Sequence, residues 1–327
     1  MRQRVQRTKI RYLFRLNFLL FVFLLMAPPP PAGASDGLTL PAPAELLKLV
    51  RRGWVYEIHS SRVRRPPDLP EVEFNSSEVA LGPVCVIGEA PHPQTRAVID
   101  SFATLLGEIY GRRVPVSYVD GNIDSCPTPQ RTYIRLYSGR PPYGRFNADL
   151  RALDKVFDIR FPKHWHEPVL SPAQTNGFFG RNGATAHLLI SQPGSVNPSP
   201  LQQAFYSSML IEELFQVVTF GADILKFERN TPFYSKLQEF PSNLRYLSWK
   251  SEEFMTGLLE SNPYGLCGFD VLMLHTLAGA NLRNSNTPEL LTYFKAELGT
   301  LLAKTRITMR DDRFAAMLDE TCQTWPG

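Results

Sequence analysis

The chain lacks most of the short motifs that announce a chemistry. It contains no G-x-G-x-x-G and no Walker-type G-x-x-x-x-G-K-[ST] run, so no glycine-rich phosphate cradle is expected. G-x-S-x-G is absent too, which removes the nucleophile elbow of an α/β-hydrolase. The four cysteines form no C-x-x-C pair, so neither a zinc knuckle nor a redox pair is expected. None has a neighbouring histidine or a basic helix start to lower its pKa, so a cysteine nucleophile is rejected as well. Histidine is scarce, with six in 327 residues. His164 and His166 alternate around Trp165 and could chelate a metal on a strand, but no third ligand accompanies them, and a solvated or aromatic-packed loop is the expectation. No metal and no cofactor is expected on these grounds.

A run long enough to span a membrane is also missing from the amino terminus. Phe18 to Ala27 is unbroken and apolar but holds ten residues, where a spanning helix needs about 20. Six basic residues and no acid accompany it within the first 34 positions. Pro28 to Pro31 then stop any helix, and Ala32-Gly33-Ala34 supplies the small-x-small pattern of a cleavage site. Residues 1–34 therefore read as a secretory signal peptide cut after Ala34, with an uncleaved signal anchor as the alternative. The expected location is periplasmic or secreted, with no stable membrane span after cleavage. Cleavage leaves 29 of the 35 basic residues against 31 acids, a net charge of −2. Such a chain has no electrostatic reason to seek nucleic acid or an anionic membrane.

Cys85, Cys126, Cys267 and Cys322 all lie in the exported part. An even number in an oxidising compartment favours two disulfides. Three pairings are possible. Cys85–Cys126 with Cys267–Cys322 keeps each link within one half of the chain and is the expected set; free buried thiols are the alternative.

Residues 35–80 read as an extension, with a short helix over Ala44–Arg52, a possible strand over Trp54–His59 and a proline-rich linker over 64–70. Val84–Ile87 is a continuous apolar strand. Apolar residues at 98, 99, 102, 105, 106 and 109 follow with a clean helical period, ended by Gly111. Strands are expected over Val114–Val119, around Tyr133–Leu136 and over Ala184–Ser191, and a helix over Ala148–Phe157. Arg160–Gly183 reads as a long aromatic surface loop. Leu201–Phe220 is the longest apolar helix. A loop-rich stretch follows over Asn230–Trp249, then helices over Phe269–Leu277 and Pro288–Lys304. The strand pattern turns His187 away from Ala186, Leu188 and Ile190, toward water or an overlying loop. His275 is expected to be a hydrogen-bonded core histidine. Mixed strands and helices first, helices last, give an α+β fold, with residues 81–327 as one domain.

The stretch that could carry chemistry is Ile211-Glu212-Glu213-Leu214-Phe215-Gln216, inside the longest helix. Two adjacent carboxylates in so apolar a helix are costly unless exposed, paired or functional. Glu212 and Gln216 are four apart and share a face. H-E-x-x-H metallopeptidases place two zinc-binding histidines at this spacing with a glutamate between them. Here Glu212 and Gln216 stand at the histidine positions, Glu213 at the glutamate position, and Asp223 lies beyond.

This run, Glu212-Glu213-x-x-Gln216 with Asp223 and then Phe269-Asp270-Val271-Leu272-Met273-Leu274, resembles domain-of-unknown-function family 2927. Members are exported proteins of proteobacteria, many of them lipoproteins. The likeness covers about Pro83 to Lys304. The chain departs from the family in having Thr219 where a glycine is usual, an expanded Asn230–Pro263 segment, Asn284-Ser285-Asn286 in place of a Gly-Met turn, and no lipid-attachment cysteine. The resemblance implies a zincin-like core, a small mixed sheet with flanking helices and a helical C-terminal half, that has lost its zinc ligands. It implies Gln216, Asp223 and Asp270 as binding-site positions. The function expected is a non-catalytic, pseudo-peptidase-like domain used for binding, with an envelope protein or peptide as the candidate partner, or for envelope architecture; a pure scaffold whose Glu212–Gln216 pair caps loops is a further reading. The alternative is a metallopeptidase-like hydrolase with unusual ligands and Glu213 as general base.

Overall fold

The computed structural model describes residues 43, 44, 46, 47, 50 and 80–322, apart from 128, 129, 220, 222, 226–232, 281–287, 320 and 321. The expected signal peptide with its cleavage site at Ala34, the strand over Trp54–His59 and the linker over 64–70 lie outside the described residues. So do positions 284–286. Of the helix expected over Ala44–Arg52, residues 44, 46, 47 and 50 are described and helical. Leu46 and Val50 are buried in the larger apolar cluster.

β1 (Val84–Gly88) is the apolar strand its Val-Cys-Val-Ile run dictates. Parallel pairing to a neighbour requires a crossover, and α1 (Pro93–Tyr110) supplies it. Pro93 sits in the first turn, where its missing N–H costs no bond, and Gly111 closes the helix in the left-handed region at φ 67°. The chain continues through β2 (Val116–Tyr118), β3 (Thr132–Tyr137), α2 (Tyr143–Phe157), β4 (Ala173–Gly180) and β5 (Gly183–Ser191). The sheet order is β2-β1-β3-β5-β4. The first four strands of that order are parallel; β4 is the antiparallel edge and, among the described residues, pairs only with β5. After β5 come α3 (Pro200–Thr219), the short parallel pair β6 (Ile224–Leu225) and β7 (Gln238–Glu239), then α4 (Glu252–Leu259), α5 (Gly268–Ala280) and α6 (Pro288–Met309). The fold is α+β: a five-stranded mixed sheet with flanking helices and a helical C-terminal part, as the sequence led us to expect.

Strand alternation sorts the core into two layers. Val86, Ile134, Leu136, Ala186, Leu188 and Ile190 face α1, α3 and α5 in the larger cluster. Cys85, Ile87, Tyr133, Tyr137 and Leu189 face α2 in the smaller one. Because helices cover both faces, the central strands read as apolar runs and not as alternating ones. Both expected disulfides are present, Cys85–Cys126 and Cys267–Cys322, with Cα–Cα distances of 6.2 and 5.6 Å. No helix among the described residues is long and apolar enough to cross a membrane.

Two expectations need correction, and one helix was unforeseen. Arg160–Gly183 is not loop throughout, because its second half is β4. Asn176 and two glycines hide that strand, since both residue types are poor strand formers. Gly180 is imposed by packing: a Cβ there would stand 1.8 Å from the carbonyl oxygen of Phe157 at the end of α2. His187 does not face water or an exposed loop. It is fully buried under α2, against the Phe146 ring at 5.2 Å and with Nε2 3.1 Å from the Asp149 carboxylate. Finally, α4 had no sequence counterpart; Ser251 caps it by accepting from the Phe254 amide.

Candidate functional site

α3 is buried nearly all round, which is the signature of a core helix. Along it, Met209, Glu212, Glu213 and Gln216 line one side of a cleft of about 580 Å³. The opposite wall comes from the β4 edge and the segment before it, with Glu167, Leu170, Gln174 and Asn176. Local hydrogen bonds fix that wall. Asn147 on α2 donates to the Glu167 carbonyl and accepts from its amide, and Gln174 accepts from the Leu170 amide and donates to the Pro168 carbonyl. The Thr175 hydroxyl donates to the Glu213 carbonyl at 3.3 Å, tying β4 to α3. Asp223, Glu239 and Asn262 close the far end.

Glu212 is the carboxylate that burial in α3 demanded: only 14% of its side chain is exposed. Its Oε2 accepts from Asn262 Nδ2 at 2.6 Å and lies 3.3 Å from Lys236 Nζ. Burial pushes the Glu212 carboxyl up and Asp223 adds to this, while the Lys236 ammonium opposes both. Gln216 is buried and donates its Nε2 to Asp223 Oδ1. Thr219 accepts the Gly221 amide on its hydroxyl while donating to the Phe215 carbonyl, which turns the chain toward Asp223.

Lys236 itself is fully buried. Its ammonium also donates to Ser208 Oγ at 2.9 Å, to Asn262 Oδ1 at 3.3 Å and to the Pro263 carbonyl at 2.5 Å. Four oxygens thus surround one internal cation, which is how a buried charge is made tolerable. The backbone amide of Lys236 donates to Asp270 Oδ2, and so does that of Cys267, while Ser235 donates to Oδ1. Asp270 therefore reaches back from the third position of α5 to Cys267, the residue just before the helix, in the manner of a capping box, and clamps the lysine loop. Burial pushes its carboxyl up to about 7, against the pull of those three donors.

The structure brings Glu212, Glu213, Gln216 and Asp223 to one cleft and sets Asp270 behind it. Lys236, Asn262, Asn176, Glu239 and Glu167 were not anticipated. Lys236 and Asn262 sit in polar, turn-rich segments, where nothing in the local pattern separates a buried partner from a surface residue. His164 and His166 are exposed, and Trp165 between them stacks on Phe161 at 4.0 Å, which is the aromatic-packed loop expected. His275 is buried and lies 2.9 Å from the Thr308 hydroxyl, also as expected.

A zincin would hold zinc at the Glu212 and Gln216 positions, and the donor set here does not fit that ion. Glu212 is already neutralised by an ammonium, Gln216 turns its amide nitrogen to Asp223, and a glutamine carbonyl is a poor zinc ligand. No group of three His, Cys, Asp or Glu able to hold a metal occurs among the described residues.

Comparison with known proteins returns no matching family model, no matching curated protein and no matching solved structure.

Proposed function

We propose that the chain is an exported, non-catalytic binding domain on a zincin-like core, akin to domain-of-unknown-function family 2927. The cleft between α3 and β4 is its ligand site. The observation that carries this reading is the internal commitment of both residues at the metal-ligand positions. Glu212 is held by Lys236 and Asn262, and Gln216 holds Asp223. What remains is a shaped cleft beside an edge strand. Among the described residues β4 has no strand partner on its outer side, so an extended segment of an envelope protein or peptide can add its backbone there. The disulfides and the amino-terminal leader pattern support an oxidising, extracytoplasmic setting.

The hydrolase alternative keeps one favourable observation, that Glu213 lines the cleft next to β4. Incubating the full mature chain with a mixed peptide library and reading products by mass spectrometry decides between the two. The binding reading expects no cleavage by the parent chain. Cleavage that disappears in Glu213→Gln at an unchanged melting temperature supports the hydrolase, with Glu213 as base and a loss of about 10² or more in turnover.

A further inference from the structure

We infer that the outer edge of β2 takes up an extended, acidic peptide segment, with its carboxylates on Arg112 and Arg113. This site lies at the opposite edge of the sheet from the α3–β4 cleft and does not rest on the reading proposed for that cleft.

The backbone of β2 sets the geometry. The Val84 amide donates to the Pro115 carbonyl at 2.8 Å, and the Val119 amide donates to the Val86 carbonyl at 2.9 Å. Backbone groups alternate in direction along a strand, so positions 115, 117 and 119 face β1, while the N–H and C=O of Val116 and Tyr118 point away from it. Those outward groups have no partner among the described residues. Val116 lines a groove of about 680 Å³ beside the edge, together with Asp100, Glu108, Arg112, Arg113 and Val114. Unmet backbone groups along a groove are what an added strand pairs with.

Charge selects the strand. Both acids of the groove are already answered. Asp100 lies 3.7 Å from Arg96 and accepts from the Tyr118 hydroxyl at 2.8 Å, and Glu108 lies 3.0 Å from Arg313. Arg112 and Arg113 are exposed, and neither side chain has a hydrogen bond, ion pair or ring contact among the described residues. The carboxyl end of α1 sets only about half a negative charge against these two positive ones. A second copy of β2 would bring its own arginine pair and be repelled, so the strand that fits comes from an acidic partner. Carboxylates on alternate residues of that strand share one face and can meet both guanidinium groups.

The test uses fluorescence anisotropy of three short labelled peptides, alternating threonine with glutamate, glutamine or lysine, on the full mature chain at low and high salt. The glutamate peptide is expected to bind, with affinity falling as salt rises. Its binding should weaken about tenfold in Arg112→Gln/Arg113→Gln. It should hold in Arg140→Gln/Arg151→Gln, which removes the same charge from exposed arginines outside the groove. Equal losses in the two variants would overturn the inference by showing non-specific attraction. Equal affinity for the glutamine or lysine peptide would overturn it too, and so would failure of the glutamate peptide to bind. The added strand is read without altering the protein, from two glutamate peptides N-methylated either at the glutamates or at the threonines. Both keep every charge, and the one whose methyl groups face β2 is expected to lose binding. Binding of both as tightly as the unmethylated peptide would overturn the strand geometry.

Discussion

The ammonium of Lys236 lies 3.3 Å from the carboxylate of Glu212, inside the protein, at the helix position where a metallopeptidase would carry a zinc ligand. An internal cation therefore answers the charge of Glu212, and α3 is joined through it to the loop that Asp270 clamps.

That pairing has a measurable coupling. Lys236→Met should cost about 3 to 5 kcal/mol, because it leaves a largely buried carboxylate without its counter-charge. Glu212→Gln should also destabilise. The double variant should cost less than the sum of the two by about 1 to 3 kcal/mol in urea unfolding. Additive costs would mean that the two charges do not stabilise each other.

A second buried ion pair sits on the other side of the sheet. Arg135 on β3 donates to both oxygens of Asp149 on α2, and His187 on β5 reaches the same carboxylate. Arg135, Asp149 and His187 are all buried. The hydrogen bonds from Arg135 and His187 lower the Asp149 carboxyl against the upward push of its burial. Asp149→Ala should cost about 3 to 5 kcal/mol by stranding a buried guanidinium. Arg135→Lys should not rescue the site, since one ammonium cannot reproduce the two-pronged contact. Thermal unfolding of the two variants checks this.

Asp270 and His275 lie five residues apart on α5 and titrate in opposing directions. The folded chain keeps Asp270 protonated up to about 7, against an ordinary value of 3.8, chiefly because it is buried. Its contribution is complete at low pH and is lost as pH rises through 7. Burial, with Lys304 nearby, pushes His275 down to about 4 from 6.5, so its contribution is present above 6.5 and is lost as pH falls toward 4. At most these amount to roughly 4 kcal/mol for Asp270 and roughly 3 kcal/mol for His275. Between pH 4 and 6.5 the two offset each other in the parent chain. His275→Gln should then lose stability as pH rises through this range, and Asp270→Asn should lose it as pH falls. Denaturant midpoints of the same slope in both variants would contradict this assignment.

The disulfides close loops of 41 and 55 residues in sequence separation. On the chain-entropy model each should contribute roughly 4 kcal/mol. Cys267→Ser should lower the melting temperature accordingly, and alkylation of unreduced protein should label no thiol. Four labelled thiols would contradict the pairing.

Much of the fold was legible because it rests on local pattern. α1 announced itself by Val98, Ile99, Phe102, Leu105 and Leu106, and β1, β3 and β5 by short segments rich in apolar, aromatic and β-branched residues. β4 was not legible because Gly180 answers to Phe157, a residue distant in sequence. In the site, Glu212, Glu213 and Gln216 could be found because they are charged or amide groups at helical spacing on an apolar helix, and Asp223 because the metallopeptidase pattern points just beyond that helix. Lys236 and Asn262 could not, since their importance comes from burial by α3 and α5, which no window around them records. The same holds for His187, whose partner Asp149 is 38 residues away.

The central claim is that Glu212 and Gln216 are committed to protein partners and hold no zinc. Zinc content of the mature chain, purified from its native host without chelators and measured by plasma mass spectrometry, tests it most directly. The account predicts far less than one zinc per chain and a melting temperature that a chelator leaves unchanged. One zinc per chain, removable by chelator with loss of stability, would contradict it.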